Sequence, residues 1–179
     1  MPDQATVASN ERDGVELAFA QQFSERYIVA WNSHQPEQVL SLMTDDVGYE
    51  DAAWPDEIQG HDAVRAFLDA TWSAIPDMNV TLERSVFLDP LAPNAASYWH
   101  ATATHTGRWD PPGLAATGRR ISFHGATFLE FRDGKVSRVR VVYDVAEILR
   151  QLGVLPKGRS RGERLTMLAA NLRSRLRRH

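Results

Sequence analysis

The chain has 179 residues, the size of one domain, with 43% hydrophobic and 24% charged residues and no cysteine; the missing cysteine excludes disulfides, thiolate metal sites, iron–sulfur clusters and cysteine nucleophiles. The formal net charge of −3 conceals an asymmetry: residues 157–179 hold eight Lys or Arg against Glu163 alone, a net of +7, which leaves −10 on the other 156 residues, so the body repels nucleic acid and any phosphate binding belongs to the tail. No apolar run reaches the roughly 18 residues of a transmembrane helix, and Met1 to Gly14 lacks the apolar stretch of a signal peptide, so the expected location is the cytoplasm.

Residues 1–13 are polar and expected to be frayed. From Gly14 to Ser33 the spacing of Phe19, Phe23, Tyr27 and Ala30, widened by Ile28 and Trp31, predicts a helix. Pro36 suits the first turn of a second, short helix carrying Val39, Leu40 and Met43. Val47 to Tyr49 reads as a short strand. Gly60 precedes a third helix with Val64, Phe67, Leu68 and Trp72 on one face, stopped by Pro76. The period then changes to two. Strands are expected at Val80 to Leu82, Val86 to Leu88, Ala95 to Thr106 and Arg120 to Arg132. The last of these turns tightly through Asp133-Gly134 into Lys135 to Tyr143. A helix at Ala146 to Leu152 is closed by Gly153 and Pro156. Helices first and a meander afterwards imply an α+β fold, with a curved antiparallel sheet packed on N-terminal helices around a hollow. One domain is expected over residues 1–156, followed by a basic tail at 157–179. In that tail Leu165, Leu168, Ala169, Leu172 and Leu176 recur at helical spacing among arginines. Such a helix docks on its own body, on a second subunit or on an anionic surface, and the acidic body favours docking.

Several segments resemble the SnoaL-like polyketide cyclases of the nuclear transport factor 2-like superfamily. They are Ala30-Trp31-Asn32-Ser33-His34, Asp45-Asp46-Val47, Gly60-His61-Asp62-Ala63-Val64-Arg65, Ile75-Pro76-Asp77-Met78, Thr104-His105-Thr106-Gly107, Thr117-Gly118-Arg119-Arg120, Phe131-Arg132-Asp133-Gly134-Lys135-Val136, and Tyr143-Asp144 with Leu149-Arg150-Gln151-Leu152-Gly153. The resemblance runs from about Gln21 to Pro156 and implies a cone-shaped barrel with a cavity. It further implies a cofactor-free enzyme acting on a hydrophobic polyketide- or steroid-like molecule by aldol cyclisation or isomerisation, with an acidic residue near the end of the last strand as general acid/base. Asp144 stands at that position. The superfamily also holds non-catalytic binding modules, so a small-molecule-binding or interaction role is the alternative.

Each candidate residue has a structural reading beside the functional one. Asp144 precedes a helix, with Glu147 three residues on, so it also fits a cap. Arg140 shares a strand face with Asp144 and either steadies a developing enolate or is solvated. His124, mid-strand, either relays a proton or is a hydrogen-bonded structural histidine. Tyr27, Trp31, Trp54, Trp72, His105 and Trp109 are candidates for substrate binding, among five tryptophans in all; Trp54 and Trp109, beside prolines, are expected at the rim. No two histidines have metal-ligand spacing on one element, so no metal is expected. Neither a Walker loop nor Gly-x-Ser-x-Gly is present. A homodimer is expected through the outer face of the curved sheet.

Overall fold

A computed structural model describes residues 16–83, 86–111, 113–156 and 158–176; the frayed segment expected at 1–13 lies outside them. In chain order the elements are α1 (Leu17–Asn32), α2 (Pro36–Leu40), β1 (Met43–Asp51), β2 (Ile58–Gln59), α3 (Gly60–Ala74), β3 (Asn79–Leu82), β4 (Phe87–Leu88), β5 (Asn94–Thr104), β6 (Arg120–Arg132), β7 (Lys135–Tyr143), α4 (Val145–Gln151) and α5 (Arg161–Leu176).

The helical stripes bury as their spacing dictates. Ala20, Phe23, Tyr27, Ala30 and Trp31 form the covered face of α1, and Phe23 meets Phe131 of β6 edge-on with ring centroids 5.0 Å apart. Asn32 ends α1 by pinning β3: its amide donates to the Val80 carbonyl at 2.8 Å and accepts from the Val80 amide at 2.9 Å. Val64, Phe67, Leu68 and Trp72 bury the matching face of α3. Met43, expected at the end of the second helix, instead opens β1 and is fully buried. A lone apolar residue three positions after Leu40 fits either period.

The strands run in the order β2-β1-β7-β6-β5-β3, with β4 also on β5. Neighbours are antiparallel except β1 and β7, which are parallel. The curved antiparallel sheet expected thus carries one parallel pair, because β1 comes from the helical half of the chain and lies beside the last strand. The path is open, with β2 at one end and β3 at the other. Along β6, Ile121, Phe123, Gly125, Thr127, Leu129 and Phe131 point inward, and the residues between them point outward. Gly125 pairs with Trp99 of β5. A Cβ there would lie 2.4 Å from the indole, so glycine makes room for Trp99, whose Nε1 donates to Thr127 Oγ1 at 2.9 Å. The Asp133-Gly134 turn has positive φ at both residues, 53° and 73°.

The tail is helical over α5, as its spacing predicts. Leu165 and Leu168 are 66% and 64% exposed, so the body of the same chain does not cover them. No helix among the described residues is long and apolar enough to cross a membrane.

Candidate functional site

The inner sheet face, α1 and α3 enclose a chamber. Tyr27, Ile28 and Trp31 of α1 form one wall, Phe67 and Thr71 of α3 another. The sheet contributes Tyr49, Asp51, Trp99, Ile121, Phe123, Val141 and Tyr143, and Ile148 of α4 closes one end. Trp54 and Trp109 also border an adjoining apolar depression formed with Pro55, Pro111, Leu114, Val145 and Leu149. These two tryptophans stand between the chamber and that depression.

The lining is mostly apolar; its polar members are Thr71, Thr127 and a small group of oxygens around Asp51. Strand β1 turns Tyr49 and Asp51 to one face and Glu50 to the other. The Asp51 carboxylate is tied at Oδ1 twice: Tyr143 Oη donates at 2.6 Å and the Ala53 amide at 2.8 Å. No hydrogen bond to Oδ2 is found among the described residues. Burial raises the Asp51 pKa above the usual carboxylate range, and the bonds from Tyr143 and Ala53 oppose that rise without cancelling it. Burial also pushes the Tyr27, Tyr49 and Tyr143 hydroxyls upward, so all three keep their protons at ordinary pH. Trp31 Nε1 has no hydrogen-bond partner among the described residues, and the Tyr27 hydroxyl has that of Tyr49 as its polar neighbour.

The structure brings four of the six expected binding residues to the chamber: Tyr27, Trp31, Trp54 and Trp109. Trp72 sits behind Trp31, edge to face with ring centroids 5.6 Å apart. His105 is fully buried, with its ring 5.9 Å from that of Trp109. The Thr117 amide donates to His105 Nδ1 at 3.3 Å, and burial lowers the histidine's pKa. His105 and Trp72 thus back the wall and do not line it.

The three residues expected to be catalytic, Asp144, Arg140 and His124, lie outside the chamber. On β7 it is Val139, Val141 and the Tyr143 ring that turn inward, so Arg140 turns outward and forks onto Glu50 with two bonds of 2.9 Å. Asp144 is exposed and caps α4, accepting from the Glu147 amide at 2.9 Å. His124 is on the outer sheet face beside Glu83, at 3.2 Å, and stacks on Tyr98. Sequence reasoning missed Asp51, Tyr49 and Tyr143. The available signal was the i, i+2 placement of Tyr49 and Asp51 at the end of a strand, which puts both on one face.

Among the described residues no group of three or more His, Asp or Glu side chains is arranged to hold a metal ion.

Comparison with known proteins places this geometry. Residues 21–152 match the family model for SnoaL-like polyketide cyclase. Among solved structures, AclR, a candidate hydroxylase from Streptomyces galilaeus, is similar at 24% identity and TM-score 0.67, over 92% of this chain and 98% of that one. A candidate SnoaL-like polyketide cyclase from Jannaschia sp. CCS1 shares 15% identity at TM-score 0.68, over 87% and 100% of the two chains. A protein of ketosteroid isomerase-like fold from Catenulispora acidiphila, solved with trimethylamine, shares 17% at TM-score 0.62, over 74% and 92%. A search of curated protein sequences found no match. At these identities the structural likenesses concern the fold alone.

Proposed function

The chain belongs to the SnoaL-like polyketide cyclase family, and from that premise we propose that it is an acid/base catalyst that needs no cofactor, acts on an apolar polyketide- or steroid-like ring ketone and uses Asp51 as its proton carrier. The observation that supports this reading is a carboxylate set into an aromatic chamber, held at Oδ1 by Tyr143 and Ala53 and without a bond at Oδ2 among the described residues. Burial disfavours the charged form and makes Asp51 a stronger base than an exposed aspartate.

Asp51 Oδ2 takes a proton from the carbon next to the substrate carbonyl. The C–H electron pair moves into the new C=C bond, and the carbonyl oxygen gains the negative charge. Tyr27 Oη donates a hydrogen bond to that oxygen as the charge grows. In an isomerisation the proton returns from Asp51 to a different carbon. In a cyclisation the enolate carbon attacks a second carbonyl of the same molecule, and the proton ends on the new alkoxide. Tyr143 fixes the carboxylate's orientation throughout.

The Asp51–Ala53 turn would equally suit a binding module without chemistry, and one experiment separates the two readings. Exchange of the α-protons of 2-tetralone in D2O is followed by proton NMR. The wild type is expected to accelerate exchange over buffer, and Asp51→Asn to lose about 100-fold or more of that acceleration. Undiminished exchange in the variant overturns the role of Asp51. Saturable binding of the ketone with no exchange by the wild type favours the binding module.

A further inference from the structure

The leucine stripe of α5 begins with two side chains that their own chain leaves uncovered: Leu165 and Leu168 are 66% and 64% exposed. The body is acidic, yet it does not cover them. Arg161, Arg164 and Arg173 of the same helix are exposed as well. At about 1.5 Å per residue, the 16 residues of α5 span about 24 Å. Helical spacing continues the stripe through Ala169, Leu172 and Leu176. The same spacing sets Arg164 and Arg173 on opposite flanks of the stripe. It puts Glu163, the one acid of residues 157–179, on the far side.

This pattern selects its partner. A nucleic-acid backbone meets arginines and leaves leucines in water. A second α5 is a poor match. A coiled-coil seam started at Leu165 runs through Leu168 and Leu172 to Arg175 and His179, so charge enters it, and two basic segments repel each other. An anionic lipid surface answers both halves of the pattern. Its acyl layer receives the leucines, and its headgroup phosphates receive the flanking arginines, whose stems lie along the apolar boundary.

We propose that α5 is an interfacial membrane-binding helix, which lies in the plane of an anionic lipid surface with its leucine stripe inward and Arg164 and Arg173 at the headgroups. The inference goes beyond the chemistry of the chamber and does not rest on it. An apolar ligand of the chamber dissolves in the same lipid layer, so the contact carries the protein to its ligand.

The test mixes the full chain with vesicles of phosphatidylcholine alone, or of phosphatidylcholine and phosphatidylglycerol in equal parts, and measures bound protein by flotation. Affinity for the mixed vesicles is expected to be about tenfold or more higher, and to fall as salt is raised. Leu165→Ser with Leu168→Ser keeps every charge, and Arg164→Gln with Arg173→Gln keeps every leucine; each pair should weaken binding by about tenfold or more. All four residues are exposed, so Tm should stay within about 2 °C of wild type. The chain has no cysteine, so Leu168→Cys carries an environment-sensitive NBD dye at one place. Its emission should shift to the blue on the mixed vesicles, but not with glycerol phosphate or duplex DNA, which supply phosphate without an apolar layer. Equal binding to both kinds of vesicle, binding to neither, full binding by the leucine variant, or an unshifted dye overturns the proposal. A blue shift that grows with protein concentration in the absence of lipid assigns the stripe to a second copy of the chain and overturns it too.

Discussion

Replacing Tyr27 with Phe should make the protein more stable and less able to react. The hydroxyl is on a side chain that is 5% exposed, and its polar neighbour, the Tyr49 hydroxyl, does not meet it in good hydrogen-bond geometry. Phenylalanine keeps the ring, and with it the packing between Phe23 and Trp31. Removing an unmet buried donor returns its desolvation cost, about 1–3 kcal/mol. For a chain of 150–250 residues each kcal/mol moves Tm by about 2–4 °C, so calorimetry of the ligand-free protein should show a rise of about 2–12 °C. The same oxygen stabilises the developing enolate in the proposed reaction. Loss of one such donor costs about 100- to 1,000-fold in turnover, read as 2-tetralone proton exchange. A lower Tm would mean that the hydroxyl holds the fold together. An unchanged exchange rate would mean that the ligand does not reach it. Either result refutes the reasoning.

Further predictions follow from other contacts. Asp144→Ala removes the α4 cap and should cost about 1 kcal/mol of stability, a Tm loss of about 2–4 °C, while exchange stays within about twofold of wild type because the residue lies outside the chamber. Asp51→Asn should raise Tm in a pH-dependent way. The folded state holds the Asp51 proton more tightly than the unfolded chain does, so ionisation weakens folding. That penalty is absent below the unfolded pKa of about 3.9, grows as pH rises towards the raised folded value, and is constant above it. The variant's Tm advantage should therefore be near zero at pH 3 and larger at pH 7; the reverse order would contradict the burial argument. Gly107→Ala should cost about 3 kcal/mol or more, measured by urea unfolding, because its Cβ would fall 2.0 Å from the Ser73 carbonyl oxygen. The Thr106 and Gly107 amides both donate to Ala74 O, which leaves the backbone little room to retreat. Phe87, Phe128 and Val142 are exposed on the outer sheet face, where the proposed homodimer would form; Phe128→Glu should convert dimer to monomer in sedimentation, and a wild type that is already monomeric refutes the pairing.

The strands Arg120–Arg132 and Lys135–Tyr143 were legible to the residue, because strict alternation brackets an Asp-Gly turn. The parallel pairing of β1 with β7 was not, since nothing within β1 encodes which distant strand it will meet. The aromatic wall could be read from helical spacing, which places Tyr27 and Trp31 on the core-facing side of α1. The carboxylate could not. Asp51 opens the loop-like run Asp51-Ala52-Ala53-Trp54-Pro55-Asp56, and its side-chain partner Tyr143 comes 92 positions later. Asp144 drew attention through its place after the last strand. Glu147, three residues on, was the better guide, because it marks the start of a helix whose amide the aspartate accepts from.

The bond between Asp51 and Tyr143 joins the first long strand to the last. On a ribosome, β1 emerges with only the two-residue β2 available beside it, and its main neighbour is about 90 residues from synthesis. The reactive centre therefore has no nascent or partly made form: no fragment ending before Tyr143 can assemble it, whereas two separately produced pieces cut within the 107–118 connection hold every strand between them and are expected to regain it on mixing.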